Sequence, residues 1–360
     1  MTEHEAVRSR GEPASPCAPF PRTVSTLDWW RRPRWTSRVE IVRRDGSIVA
    51  ALRRLLGAAV AADAVVLDGA TGGAVRAVDL GAAAALARQR TGPAVVVADA
   101  TWSVGEGALD RLICRLGIAA IDGPRVSYCV LTSAEREIFP RTWGVAPERV
   151  HFTPFYYTAG DEDLEAPTSE HGGVFAGGDS LRDYRPLLVA ARHLRVPMTL
   201  ATRCVAPDAK AALPACVRIG VVPHAEYMRR MREAAVVVVP LAPRWDRGAG
   251  QQTYLNAMAL GKLVIVPDVM GVRDYIDDGR TGLVVPARDG AALEGAIRWA
   301  LDRAHRGTVR AIGARAREDV RERFSPERYV DAVLDVVEAS VRRVRGRGRA
   351  GLRSAAPARA

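Results

Sequence analysis

The residues best suited to polar chemistry gather in three stretches, each following a short β-branched run. In VFAGGDSLRDYRPLL (Val174–Leu188), Gly177 and Gly178 let backbone approach an anion, and Asp179 or Ser180 can cap a helix expected to begin near Leu181. Arg182 then falls in the first helical turn, where a cation opposes the helix dipole. A bound diphosphate justifies that placement, since guanidinium and helix N-terminus both suit phosphate oxygens. A surface ion pair with Asp179 or Asp183 justifies it equally. In VVPHAEYM (Val221–Met228), exposed backbone at Val222 can read a nucleobase edge, whereas a lone His224 reads first as a helix N-terminal residue. In GAGQQTYLNAMALGK (Gly248–Lys262), Gly248 and Gly250 permit close approach, with Gln251, Gln252 and Thr253 at a helix N-terminus and Asn256 one turn in. These groups suit sugar or ribose hydroxyls.

The first half offers Asp68 and the run Asp99-Ala-Thr-Trp-Ser103, each after a strand-like segment. Asp99 can position an acceptor hydroxyl with Trp102 stacking on a sugar ring; alternatively Asp99 caps a loop and Trp102 fills core. Neither G-x-G-x-x-G nor the P-loop lysine motif is present, which removes the usual fingerprints of nicotinamide cofactors and nucleoside triphosphatases. The five cysteines form no C-x-x-C pair and argue against a zinc site. Asp161-Glu-Asp163 resembles a metal-binding D-x-D, but no apolar strand delivers it, so it reads as solvated linker. Neither metal nor cofactor is expected.

The formal charge of +11 is uneven. Arg31, Arg32 and Arg34 interleave with Trp29, Trp30 and Trp35, and a second basic cluster runs from Arg342 to Arg353. The first is a candidate membrane-surface contact or the first packed element of the fold; the second reads as a solvated tail. With no recognised module, no specific nucleic acid is expected. No run is long and apolar enough to span a bilayer, and the N-terminus has no apolar signal region. The expected location is cytoplasmic, with the inner membrane face as the site of any peripheral contact.

Short apolar runs alternate with helical patterns from Arg38 to Phe155, among them the amphipathic GSIVAALRRLLGAAVAA and EGALDRLICRLG (Glu106–Gly117), which has apolar residues at helical spacing. This alternation predicts a parallel sheet covered on both faces. The acidic, Pro/Gly/Ser-rich segment Thr158–Gly173 interrupts it, and the pattern restarts at Val174. The expected organisation is a leader over 1–35, a Rossmann-like domain over 36–157, a linker over 158–173 and a second such domain over 174–325. A helix over 326–344 and a basic tail over 345–360 complete it.

From Val126 to Arg303 the ordered segments resemble GT-B glycosyltransferases of the retaining, glycogen-synthase-like superfamily. VSYCVLTSAEREIF, WGVAPERVHFTPF, VFAGGDSLRDYRPLL, HAEYMRRMREAAVVVVPL and LNAMALGKLVIVPDVMGVRDYIDDGRTGLVVP carry that resemblance. It implies an α/β fold of two Rossmann-like domains facing each other across a cleft. It also implies a metal-independent glycosyltransferase, a hexosyltransferase by type, moving a sugar from a nucleotide-diphosphate sugar to an acceptor hydroxyl with retention. The acceptor is a glycan, a lipid or a small molecule. The family's E-x7-E acids fall on Gly248 and Asn256, and its phosphate-loop lysine falls on Asp183. Those departures keep open a catalytically inactive GT-B-like binder of sugar or nucleotide. If the site is active, Arg182 and Asp99 are the expected catalytic residues. Gly177, Gly178, Ser180, Val222, His224, Gly250, Gln251, Gln252, Thr253 and Asn256 are the expected donor contacts.

Overall fold

The computed structural model describes residues 19–27, 32–70, 75–89, 91–105, 107–169, 173–211 and 213–354. Within them the apolar runs pair into two six-stranded sheets, every strand parallel to its neighbours. The first sheet contains β1 (Thr23–Ser25), β2 (Val39–Ile41), β3 (Ala64–Asp68), β4 (Ala94–Ala98), β5 (Val126–Val130) and β6 (Val150–Phe152), in the order β2-β1-β3-β4-β5-β6. The second contains β7 (Val174–Gly177), β8 (Met198–Ala201), β9 (Val217–Ile219), β10 (Val236–Val238), β11 (Leu263–Pro267) and β12 (Leu283–Val285), in the order β12-β11-β10-β7-β8-β9. Runs such as VVVVP and AVVVA are apolar throughout because both faces of a parallel sheet are covered by crossover helices.

Each sheet reverses its winding once, between β1 and β3 in the first and between β7 and β10 in the second. Crevices at such switch points, beyond the carboxyl ends of the strands, are where ligands bind in open α/β sheets. The architecture therefore aims Asp68 and Asp99 from one domain, and the Gly177 and Leu241 loops from the other, at candidate sites.

Two expected boundaries move. The leader set apart before residue 36 contributes β1, which pairs with both β2 and β3 and is fully buried. Trp35 is buried as well, its Nε1 donating to the Leu27 carbonyl at 3.2 Å. Trp29, Trp30 and Arg31 lie outside the described residues. The last helix runs from Pro326 to Ser354, past the expected start of a tail at residue 345. It packs Tyr329, Val333, Leu334 and Val337 against the first sheet, so the chain returns to the domain where it began. Arg32 and Arg34 pair with Glu327 and Asp331 of that helix, which makes this part of the Trp/Arg stretch a packed element.

Candidate active site

The loop after β7 differs from its expected form. Its helix begins at Arg185, not near Leu181, with Pro186 in the first turn and Tyr184 as a cap lacking a side-chain bond. Leu181 has φ 49°, a left-handed conformation that breaks helical continuity. Asp179 is no cap; it accepts from Thr202 Oγ1 at 2.7 Å and from the Arg203 backbone at 2.9 Å. Arg182 therefore sits in the loop, free of the dipole conflict. Its guanidinium donates to the Gly177 and Ser180 carbonyls at 3.3 and 2.6 Å and to Thr253 Oγ1 at 3.1 Å.

Gly177 and Gly178 do approach something closely, but it is protein. A Cβ on Gly177 would meet the Tyr227 ring at 2.4 Å, and one on Gly178 (φ 101°) would meet the Arg182 guanidinium at 2.8 Å. The two glycines let Tyr227 and Arg182 lie over the strand end. The structure thus brings the expected donor residues Gly177, Gly178, Ser180 and Thr253 together with the expected catalytic Arg182. Val222 is half-buried against the same core cluster that Tyr227 packs on, and His224 is the exposed first residue of the helix His224–Glu233.

The loop Arg244–Gly250 crosses from the second domain to the first through three consecutive residues. Asp246 accepts from the Val104 N–H at 2.8 Å and from Arg244 at 2.8 and 2.7 Å. Burial works against its charge, yet the guanidinium and the N–H hold its carboxyl below the ordinary range. Arg247 donates to the Thr101 carbonyl and to Ser180 Oγ, each at 3.0 Å, while its buried Nε has no partner among the described residues. Desolvation lowers its pKa, with Glu135 opposing that effect. The Gly248 N–H donates to Glu135 Oε1 at 3.1 Å, and Glu135 also accepts from the Leu131 N–H at 3.1 Å. Burial raises the Glu135 carboxyl to about 7 despite these bonds.

Gly250, at φ 91°, caps the helix Gln251–Ala259 in a conformation that suits glycine. Gln251 is buried, whereas Gln252 is exposed and donates to Thr158 Oγ1 at 3.0 Å. Asn256, the expected ribose contact, is engaged by the linker. It is buried, its Oδ1 accepts from the Thr158 and Ala159 backbone at 2.6 and 3.0 Å, and its Nδ2 donates to Thr158 Oγ1 at 3.1 Å. The amide pins the linker to this helix, because two backbone N–H groups there need a buried acceptor.

Across the interface a cavity of about 580 Å³ opens at the carboxyl ends of the first sheet. Asp68, Asp99 and Thr101 line it from the first domain, Gln252 from the second, and Tyr329 from the last helix. Asp99 has φ 52° and is buried, and the Tyr329 hydroxyl donates to its Oδ1. Burial raises the Asp99 carboxyl to about 7. A desolvated acid held at positive φ and lining a cavity between the domains is an arrangement found where protons or hydroxyls are handled. Behind it, Asp79 accepts from Thr26 Oγ1 at 2.9 Å and from the Asp68 N–H at 3.0 Å. Trp102, in contrast, is core. Its Nε1 donates to the Gly69 carbonyl at 2.7 Å, and its ring packs against Tyr128 and Phe139.

Arg247, Glu135 and Tyr227 were not singled out by sequence reasoning. For Glu135 a local signal existed, since Thr132-x-x-Glu135 is a helix-start pattern and Thr132 caps that helix. Arg247 carried none, because its partners lie 67 and 146 residues away. Among the described residues no group of three or more His, Cys, Asp or Glu could hold a metal ion, and no helix is long and apolar enough to cross a membrane.

Residues 182–303 match the family model described as Glycosyl transferases group 1. No curated protein sequence matches the chain. Among solved structures it is similar to HepE from Anabaena in complex with UDP, at 14% identity over 84% of this chain and 86% of that one, with a TM-score of 0.60. It is also similar to sucrose-phosphate synthase from Thermosynechococcus elongatus, at 18% identity over 88% and 82% with a TM-score of 0.55. A glycosyltransferase from Rickettsia africae aligns at 11% identity over 85% and 86%, with a TM-score of 0.58. At these identities the likeness is one of fold. The chain has the GT-B fold that its sequence implied, and the matched segment lies inside the ordered series read from Val126 to Arg303.

Proposed function

We propose that the protein is a metal-independent glycosyltransferase, a hexosyltransferase by type, that moves a sugar from a nucleotide-diphosphate sugar to an acceptor hydroxyl with retention. The observation that carries this reading is the Arg182–Ser180–Arg247 cluster, which stands between the second-domain switch point and Thr101 of the first domain. The family's lysine position is taken by Asp183, which is tied to Arg185 at 2.8 Å. Two guanidiniums on one serine supply the charge needed to hold a departing diphosphate, Arg182 on the Ser180 carbonyl and Arg247 on its hydroxyl.

In this reading the second domain binds the donor, and the cavity holding Asp99 receives the acceptor, a glycan, a lipid or a small molecule. The leaving diphosphate oxygen takes the acceptor proton on the same face, and Asp99 orients the hydroxyl. The relatives' complexes with UDP and with UDP-glucose support a uridine nucleotide as the first donor to try. No cofactor is required beyond the donor itself. The place of action is cytoplasmic, at or near the inner face of the membrane. A panel of UDP, GDP and ADP sugars with an acceptor extract, read by mass spectrometry, tests the proposal.

One observation favours a second reading, a binder without turnover. Asn256 is spent on the linker and Gly248 on Glu135, so neither position of the family's acid pair faces open space. Donor-induced thermal stabilisation without diphosphate release identifies that case.

A further inference from the structure

The last helix lines the cavity holding Asp99 with Pro326, Tyr329 and Val330, of which only Tyr329 carries a polar side chain. Tyr329 and Asp99 stand 230 positions apart in the chain. The ion pairs Arg32–Glu327 and Arg34–Asp331, at 3.4 and 2.5 Å, flank Tyr329 and fix the start of the helix on the first domain. The Tyr329 ring is buried and packs on Tyr156 and Phe155, with centroids 4.8 and 6.0 Å away. Held in that way, its hydroxyl donates to Asp99 Oδ1. Among the described residues no other group donates to the Asp99 carboxyl.

That bond makes the two carboxyl oxygens unequal. An ionised carboxylate only accepts, so with Tyr329 on Oδ1 it keeps Oδ2 for a hydroxyl entering the cavity. A protonated Asp99 carries a hydrogen of its own. With Oδ1 taken, that hydrogen sits on Oδ2 and donates where the incoming hydroxyl must donate. Burial raises the Asp99 carboxyl to about 7, and the Tyr329 bond works against the rise. Of the groups facing it, Asp68 at the end of β3 adds to the rise. Cys129 on β5, Tyr156 after β6, Tyr275 of the second domain and Tyr329 itself are all pushed up by burial and stay neutral near about pH 7. Arg32, the cation lining the cavity, is paired with Glu327.

We propose that Tyr329 is the positioning residue of Asp99: from the last helix it holds Oδ1 and reserves Oδ2, ionised, for the acceptor hydroxyl. The inference rests on the reading of this cavity as the acceptor site. It makes the last helix a part of that site and not only a brace for the first sheet.

The test has two arms, both on the full-length protein. The first follows the Asp99 γ-carboxyl by carbon NMR on aspartate-labelled protein, its signal assigned by its loss in Asp99→Asn. Tyr329→Phe should raise the midpoint of that titration by about one pH unit or more. The second is the pH profile of kcat/KM for transfer into the acceptor extract, with UDP-glucose as the first donor. In Tyr329→Phe its acidic limb should move by the same amount, so activity falls about tenfold near about pH 6 and little near about pH 9. Ser340→Ala removes the bond to Ser127 Oγ at 2.7 Å on the same helix; it should lower the thermal midpoint and leave the titration and the limb in place. If Tyr329→Phe fails to fold, a fluorinated tyrosine at position 329, a stronger donor, carries the comparison and should shift both the opposite way. An Asp99 titration that these changes at 329 leave unmoved overturns the proposal, as does an activity loss equal at every pH. If the wild type transfers no sugar from any donor, the transferase reading fails, and the NMR arm alone decides whether Tyr329 sets the charge of Asp99.

Discussion

Glu135 of the first domain accepts the Gly248 N–H of the second at 3.1 Å, at the position where the resembled enzymes carry their first acid. Gly248 is therefore a crossing point and not simply a vacated ligand. A Cβ there would stand 2.8 Å from Thr132 Cγ2 and 3.2 Å from the Met270 carbonyl. Gly248→Glu should consequently destabilise the protein by about 1–3 kcal/mol through overpacking, read by denaturant unfolding. An unchanged midpoint combined with tighter donor binding would show that the loop has room for the acid.

Arg247 spans Thr101 and Ser180, so its removal should affect turnover more than folding. Arg247→Ala and Arg182→Ala are each expected to lower kcat/KM at least about tenfold, a loss of about 1.4 kcal/mol in transition-state stabilisation. Arg247→Lys should recover little, because one ammonium cannot reproduce the two-sided reach of the guanidinium. Steady-state kinetics with the best donor checks both statements; wild-type rates in either alanine variant would remove that residue from the mechanism.

Asn256 separates a structural role from a ligand role. Asn256→Ala leaves the Thr158 and Ala159 N–H groups without their acceptor and should cost about 1–3 kcal/mol of stability. Donor affinity, measured by titration calorimetry on the folded variant, should change little. Unaltered stability with lost donor affinity would place Asn256 on the ribose after all.

The Asp99 carboxyl makes a pH prediction. Its pKa rises from 3.8 to about 7 on burial, so the folded chain holds this proton more tightly than the unfolded chain does. Stability from this group is therefore present at low pH and is lost as pH rises from about 4 through about 7. Asp99→Asn keeps an acceptor for the Tyr329 hydroxyl and tolerates φ 52°. Its thermal midpoint should exceed that of the wild type near about pH 8, with the difference shrinking toward about pH 4. Equal midpoints across that range would mean that Asp99 titrates as an ordinary carboxylate.

Much of the fold was legible because parallel strands are apolar on both faces; segments such as AVVLD, AVVVA and LVIVP announce themselves without any tertiary information. β1 did not, because three residues, TVS, carry no period and become a strand only between β2 and β3. The candidate site was legible as loops and not as contacts. The Gly177–Gly178 pair indicates close approach, but nothing local says that Tyr227 and Arg182 are what approaches. Likewise, the early helix start expected near Leu181 failed on a single left-handed residue, a conformation that leucine gives no warning of. Residues that act between domains, Arg247 and Glu135, become visible only when the two sheets face each other.

The most direct measurement is release of nucleoside diphosphate coupled to sugar transfer. The full-length protein is incubated with UDP-, GDP- and ADP-sugars and an acceptor extract, and products are read by mass spectrometry. A glycosyltransferase gives one donor whose diphosphate appears together with an acceptor heavier by a single sugar, and Arg247→Ala loses both signals. No diphosphate and no heavier acceptor with any donor, from protein that a nucleotide nonetheless stabilises, would contradict catalysis and leave a binding protein in its place.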